Sequence, residues 1–171
     1  MKALLTACAA VMISVVIGLS AGTSVDAATS PPQTQRLSEP TDLRASIWSS
    51  TEKQVLSLHN QARTSRGLGA LSGTNALGKA AARRCSEIIS RFSHTRPNGS
   101  SWSTVLGQFG ISYGIAGENI AYGYSSPSSV HNAWMNSTGH RNNILRSSFR
   151  YAGVGHCTSG GTNYWVVLFT G

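Results

Sequence analysis

The chain has 171 residues and a net charge of +8, from 14 Lys and Arg against 6 Asp and Glu. Such a balance draws a protein to anionic surfaces, but the arginines are scattered, only Arg83 and Arg84 are adjacent, and no nucleic-acid motif accompanies them. The pattern therefore reads as a solvated basic surface, which argues against a specific nucleic-acid binder.

The first 27 residues read as a secretory signal. Lys2 supplies the positive start, Ala3 to Leu19 an apolar run, and Val25-Asp26-Ala27 a small-residue cleavage site. The apolar run is too short, and too interrupted by Ser and Gly, to favour a permanent span of roughly 20 residues. Cleavage removes one charge of each sign, Lys2 and Asp26, so the net charge is unchanged. It also discards Cys8 and leaves Cys85 and Cys157. In an oxidising destination a single disulfide between these two is the leading reading, with two separate buried thiols as the alternative. Residues 28–46 are rich in Ser, Thr, Pro and Gln without an apolar period, the composition of a disordered linker.

From residue 47 the pattern becomes that of a packed domain. Ser49 and Glu52 have capping-box spacing, and Val55, Leu56, His59 and Ala62 follow at helical intervals until Gly67. His59 lies on that apolar stripe and reads as a core histidine. Thr74 or Asn75 caps a second helix whose inner face carries Leu77, Ala80, Ala81, Cys85, Ile88 and Ile89, ending near Ser90. Glu87 lies on it among arginines, which predicts an ion pair and not a catalytic role. A third helix is predicted from Ser100 or Ser101, with Trp102, Val105, Leu106 and Phe109 inward, ended by Gly110. Ser126-Pro127 starts a fourth, carrying Val130, Ala133 and Trp134 inward.

The period then changes. Tyr151 to Cys157 and Tyr164 to Thr170 read as strands joined by a Ser-Gly-Gly hairpin, and Trp165 to Phe169 is apolar on both faces, as a central strand must be. Four helices and a small antiparallel sheet define one α+β domain over residues 47–171, with helices on both faces of the sheet.

Five ordered motifs, HNQAR (59–63), FSHTRPNG (92–99), AGENIAYG (116–123), AWMNSTGHRNNIL (133–145) and YAGVGHC (151–157), resemble the secreted CAP or SCP family. That family comprises cysteine-rich secretory proteins, antigen 5 and plant pathogenesis-related class 1 proteins; the short-loop form is most similar to its bacterial members. The resemblance implies a three-layer α-β-α sandwich and a cleft with two histidines and two acids. Its first histidine maps to His94, its first acid to Glu118 and its second histidine to His140, while Ser137 stands where the eukaryotic pattern has the second acid. HNQAR is mainly architectural in that family.

His94, Glu118 and His140 have the composition of a three-ligand zinc site with an open position, although their spacing matches no compact zinc signature. Zinc is thus the candidate cofactor, and Glu118 and His140 are the candidate catalytic groups. Ser93, Ser101 and Ser137 lie near the site in sequence, but no nucleophile-elbow pattern supports a serine hydrolase. Tyr113, Tyr122, Tyr124 and Trp134 read as core and rim packing, with a groove lining as the alternative. The resulting expectation is a monomeric, extracellular binding or interaction module for a lipid, peptide or wall polymer. A metal-dependent hydrolase and a sterol- or fatty-acid-binding protein are the alternatives.

Overall fold

The computed structural model describes residues 12–18 and 48–171; the linker 28–46 and the rest of the expected signal lie outside them. The elements are β1 (Met12–Gly18), α1 (Ser50–Thr64), β2 (Ser72–Gly73), α2 (Asn75–Ser90), α3 (Thr104–Gln108), β3 (Ile115–Tyr122), α4 (Pro127–Asn136), α5 (Thr138–Ile144), β4 (Tyr151–Ser159) and β5 (Thr162–Thr170). Their strands form one open sheet in the order β1-β3-β5-β4-β2. All pairings are antiparallel except β2 with β4.

Local chemistry sets the boundaries. The Ser49 side chain accepts from the Glu52 amide while the Glu52 carboxylate accepts from the Ser49 amide, a complete capping box. Thr74 caps α2 through the Leu77 amide, and Ser126 caps α4 with Pro127 in its first turn. The β4–β5 hairpin turns on Gly160 and Gly161, both at positive φ (55° and 76°), the backbone a tight two-residue turn requires.

Period-two alternation on β5 splits the core into two layers. Trp165, Val167 and Phe169 join Val55, Val130, Trp134, Ile144 and Phe149 on the side of α1, α4 and α5. Val166 and Leu168 join Leu77, Ala81, Ile88, Trp102 and Leu106 on the side of α2 and α3. The result is the expected three-layer sandwich with β5 covered on both faces. Helix α2 sits directly on the β4 backbone, because a Cβ at Gly153 or Gly155 would collide with the carbonyls of Leu77 or Ala81. Cys85 on α2 and Cys157 on β4 form a disulfide with a Cα separation of 6.0 Å, which joins these layers covalently.

HNQAR is architectural, as expected. His59 is fully buried, and Asn60 both donates to the Leu71 carbonyl and accepts from the Leu71 amide. The Arg63 guanidinium donates to the carbonyls of Gly69, Ile144, Arg146 and Phe149, closing the segment between α5 and β4 onto α1.

Several expectations need correction. The third helix is only five residues long, since residues 101–103 form a turn held by a Thr95–Ser101 bridge. The helices number five among the described residues, not four, because the short helix that starts beside His140, α5, is an element of its own directly after α4. The sheet is mixed, because β2 is a two-residue parallel partner of β4. On α4 it is His131, more than Ala133, that turns inward with Val130 and Trp134. The arginines are not all solvated: Arg63, Arg84 and Arg96 are at most 2% exposed. The reading of the aromatics as packing holds, by contrast: Trp134 is fully buried and Tyr122 packs against Phe92 and Tyr164. Residues 12–18, which lie inside the expected signal, form the edge strand β1, and this leaves the signal expectation as it stands.

Candidate functional site

The site is built on β3 and the segments that flank it. Alternation sends Ala116, Glu118 and Ile120 toward α2, and Gly117, Asn119 and Ala121 toward α4 and α5. Gly117 is needed for space, since a Cβ there would lie 2.8 Å from the Phe149 ring.

On the α2 face, Glu118 is fully buried and accepts from Arg84 through Nε at 2.7 Å and Nη2 at 3.2 Å. His94 Nδ1 lies 2.6 Å from its Oε1. A carboxylate only accepts, so Nδ1 carries the hydrogen, and the buried His94 Nε2 has no hydrogen-bond partner among the described residues. Arg84 also donates to the Ser93 carbonyl at 2.9 Å, which fixes the turn that presents His94. Its third nitrogen reaches Glu87 at 2.8 Å, and Glu87 in turn receives Arg96 and Arg83. Arg96 completes the brace by donating to Thr104 and Gln108 on α3.

This alternation of charges governs titration. Burial opposes ionisation of Glu87, but hydrogen bonds from Arg96 and Arg84 prevail and hold its carboxyl below the usual range. Burial likewise works against the Arg84 cation, and its bonds and charge attraction to Glu118 and Glu87 prevail, raising its pKa. Glu87 is thus the arginine-paired residue expected from sequence. Arg84, a partner of both acids, was hidden by the reading of its charge as surface.

On the opposite face, Ser137 Oγ and His140 Nδ1 are 2.7 Å apart. Ser137 precedes α5 and His140 lies in its first turn. Asn119 Nδ2 donates to the His140 carbonyl at 3.1 Å, and Asn143 Nδ2 donates to Asn119 Oδ1 at 2.8 Å, so β3 positions α5. The expected cleft residues therefore form two pairs, His94 with Glu118 and Ser137 with His140. Glu118 and Asn119, adjacent on β3, face opposite sides, the first bonded to His94 and the second to the His140 carbonyl.

Both Glu118 oxygens are engaged by a guanidinium, whose charge opposes a dication, and no group of three His, Cys, Asp or Glu that could hold a metal occurs among the described residues. The site's acid, Glu118, is turned toward α2 and bound by Arg84, while His140 Nδ1 meets the Ser137 hydroxyl. Nor is any helix of the described residues long and apolar enough to cross a membrane.

A three-layer sandwich with a glycine-flanked acid on β3 and histidines from two flanking segments defines the class. The model of the cysteine-rich secretory protein family, CAP, matches residues 56–169, and the chain belongs to that family. Among curated relatives, the uncharacterized protein YkwD of Bacillus subtilis is 38% identical over 146 residues, which is 84% of this chain and 56% of YkwD. The uncharacterized membrane protein YlbC of the same organism is 32% identical over 111 residues, 64% of this chain and 32% of YlbC. The chain thus spans about half the length of one curated relative and a third of the other.

Among solved structures, an extracellular SCP-domain protein from Bacillus anthracis is similar with a TM-score of 0.66 and 26% identity, over 82% of this chain and 45% of that one. An outer surface protein of Borrelia burgdorferi shares the fold at a TM-score of 0.64 and 23% identity, over 69% of this chain and 90% of that one.

Proposed function

We propose that this chain works outside the cell as a binding or interaction module, with β3 and its flanking His94–Glu118 and Ser137–His140 pairs as the recognition region. The observation that carries this reading is the bidentate Arg84–Glu118 pair. It makes the acid a structural anion that locks α2, the His94 turn and β3 together. Proton transfer by Glu118 would require separating it from a buried cation. The extracellular location is supported by the disulfide and by the similarity to an extracellular SCP-domain protein of Bacillus anthracis.

The competing hydrolase reading requires a metal on His94, Glu118 and His140. Zinc titration by calorimetry on the oxidised protein, beside folded His94→Ala and His140→Ala variants, separates the two. The binding-module reading expects no stoichiometric zinc uptake and no chelator-sensitive turnover of a peptide or ester panel. One zinc per chain, lost in both variants and coupled to turnover, would replace it with the hydrolase.

A further inference from the structure

The strand β1 is the neighbour through which the β3 edge shows what it accepts. It runs antiparallel to β3 in continuous register from Met12 opposite Ala121 to Gly18 opposite Ile115. These seven residues lie within the segment 1–27 that reads as an export signal. In the order β1-β3-β5-β4-β2, taking β1 away leaves β3 as the sheet edge, its outward N–H and C=O groups without ladder partners. An edge of that kind is a template for an added strand, with the backbone providing affinity and alternate side chains providing selectivity.

The contacts of β1 show the selectivity. Ser14 stands opposite Asn119. Its hydroxyl accepts from Asn143 Nδ2 at 2.7 Å and donates to Asn119 Oδ1 at 3.3 Å. Ser14 lies against the start of α5, where a Cβ on Gly139 would make ordinary contact with the Ser14 Cβ at 3.4 Å. Val15 stands opposite Glu118 on the other face, and with Ile17 it packs against the α2 and α3 layer, while Val16 is 38% exposed. One face therefore reads a small hydroxyl through two asparagines, and the other reads apolar branched side chains beside the His94–Glu118 pair.

We infer that the β3 edge is a docking site for an extended peptide with a small hydroxyl residue followed by branched apolar ones, and that β1 fills it until export removes residues 12–18. This rests on the extracellular reading, because export is the event that opens the edge. The leader acts as a plug: it satisfies the β3 backbone while the chain carries it and leaves a peptide-ready edge afterwards.

The test uses a fluorescent synthetic peptide with the sequence of residues 12–18, flanked by solubilising lysines. It is titrated into the full chain, the full chain with Val15→Pro and Val16→Pro, and the chain recovered after secretion. The two prolines delete ladder donors and disable β1. Expected results are no uptake by the full chain, and saturable one-to-one binding to the other two with slowed hydrogen exchange at residues 116–121. A peptide carrying Ser14→Leu should bind about tenfold more weakly, the loss of roughly one buried hydrogen bond. A peptide N-methylated along its backbone should not bind.

A folded proline variant that ignores the peptide would overturn the inference. Should that variant not fold by near-ultraviolet circular dichroism, the same titration on the secreted chain decides. Mass spectrometry of the secreted N-terminus separates the two readings. Retention of the chain inside the cell counts against the extracellular role, whereas a secreted chain that still carries residues 12–18, or that lacks peptide binding, counts against the plug.

Discussion

At the scale of single residues, Arg84 carries more of this site than any residue the motifs mark. It is fully buried, pairs with Glu118 and Glu87, and holds the Ser93 carbonyl beside His94. Removing one partner of a buried ion pair is worse than never having built the pair, because the remaining charge stays desolvated. Arg84→Met should therefore cost about 3–5 kcal/mol in urea unfolding. Adding Glu118→Gln to it should recover part of that loss, since a neutral amide is cheaper to bury than an unpaired carboxylate. A loss below about 1 kcal/mol for Arg84→Met would show that Arg96 alone sustains the network and that Glu118 is not held as described.

At the scale of elements, the packing of α1 against α4 contains a pH dependence. His59 and His131 face each other with their Nδ1 atoms 3.0 Å apart, so one ring must donate and the other accept. Burial, followed by the His131 charge, pushes the pKa of His59 well down, and burial lowers that of His131. Below the unfolded histidine value of about 6.5, the unfolded chain takes up protons that the folded chain refuses. Stability from this pair is complete above that pH and falls as pH drops toward the lowered folded values. The expected slope is about 1.4 kcal/mol per pH unit for each histidine held neutral. Urea midpoints between pH 7.5 and 5.5 should show it, and His131→Gln should make the dependence shallower. An unchanged dependence would assign it to other histidines. Elements of this kind were legible in the sequence because caps, apolar periods and the Gly160–Gly161 turn are local signals. The buried arginines were not, since periodicity registers only apolar side chains and reads every cation as surface. The site residues were legible through their motifs, but their division into two pairs depends on which face of β3 each meets. The pairing of β1 with β3, between residues about a hundred positions apart, has no local signal at all.

At the scale of the whole molecule, two layers of core meet on one central strand, and the layer built from α2 is held in two ways. The Gly153 and Gly155 contacts let α2 lie on β4, and the Cys85–Cys157 bridge makes that arrangement covalent. The bridge spans a sequence separation of 72, so its main effect in the chain-entropy account falls on the unfolded state, where it removes conformations. Loop closure of that length is worth about 4 kcal/mol at 25 °C. The double variant Cys85→Ala, Cys157→Ala should keep the native near-ultraviolet signal, because the α2–β4 contacts do not need the sulfurs to stay in place. It should nevertheless unfold at lower urea, with Tm reduced by roughly 10–15 °C for a domain of this size. The loss should appear chiefly as a change in the unfolded ensemble, visible as a larger urea m-value when the crosslink is absent. A double variant with an unchanged m-value and less than about 1 kcal/mol of loss would mean that the reduced chain is already compact around α2 and β4, so that packing alone defines this layer before the bridge closes.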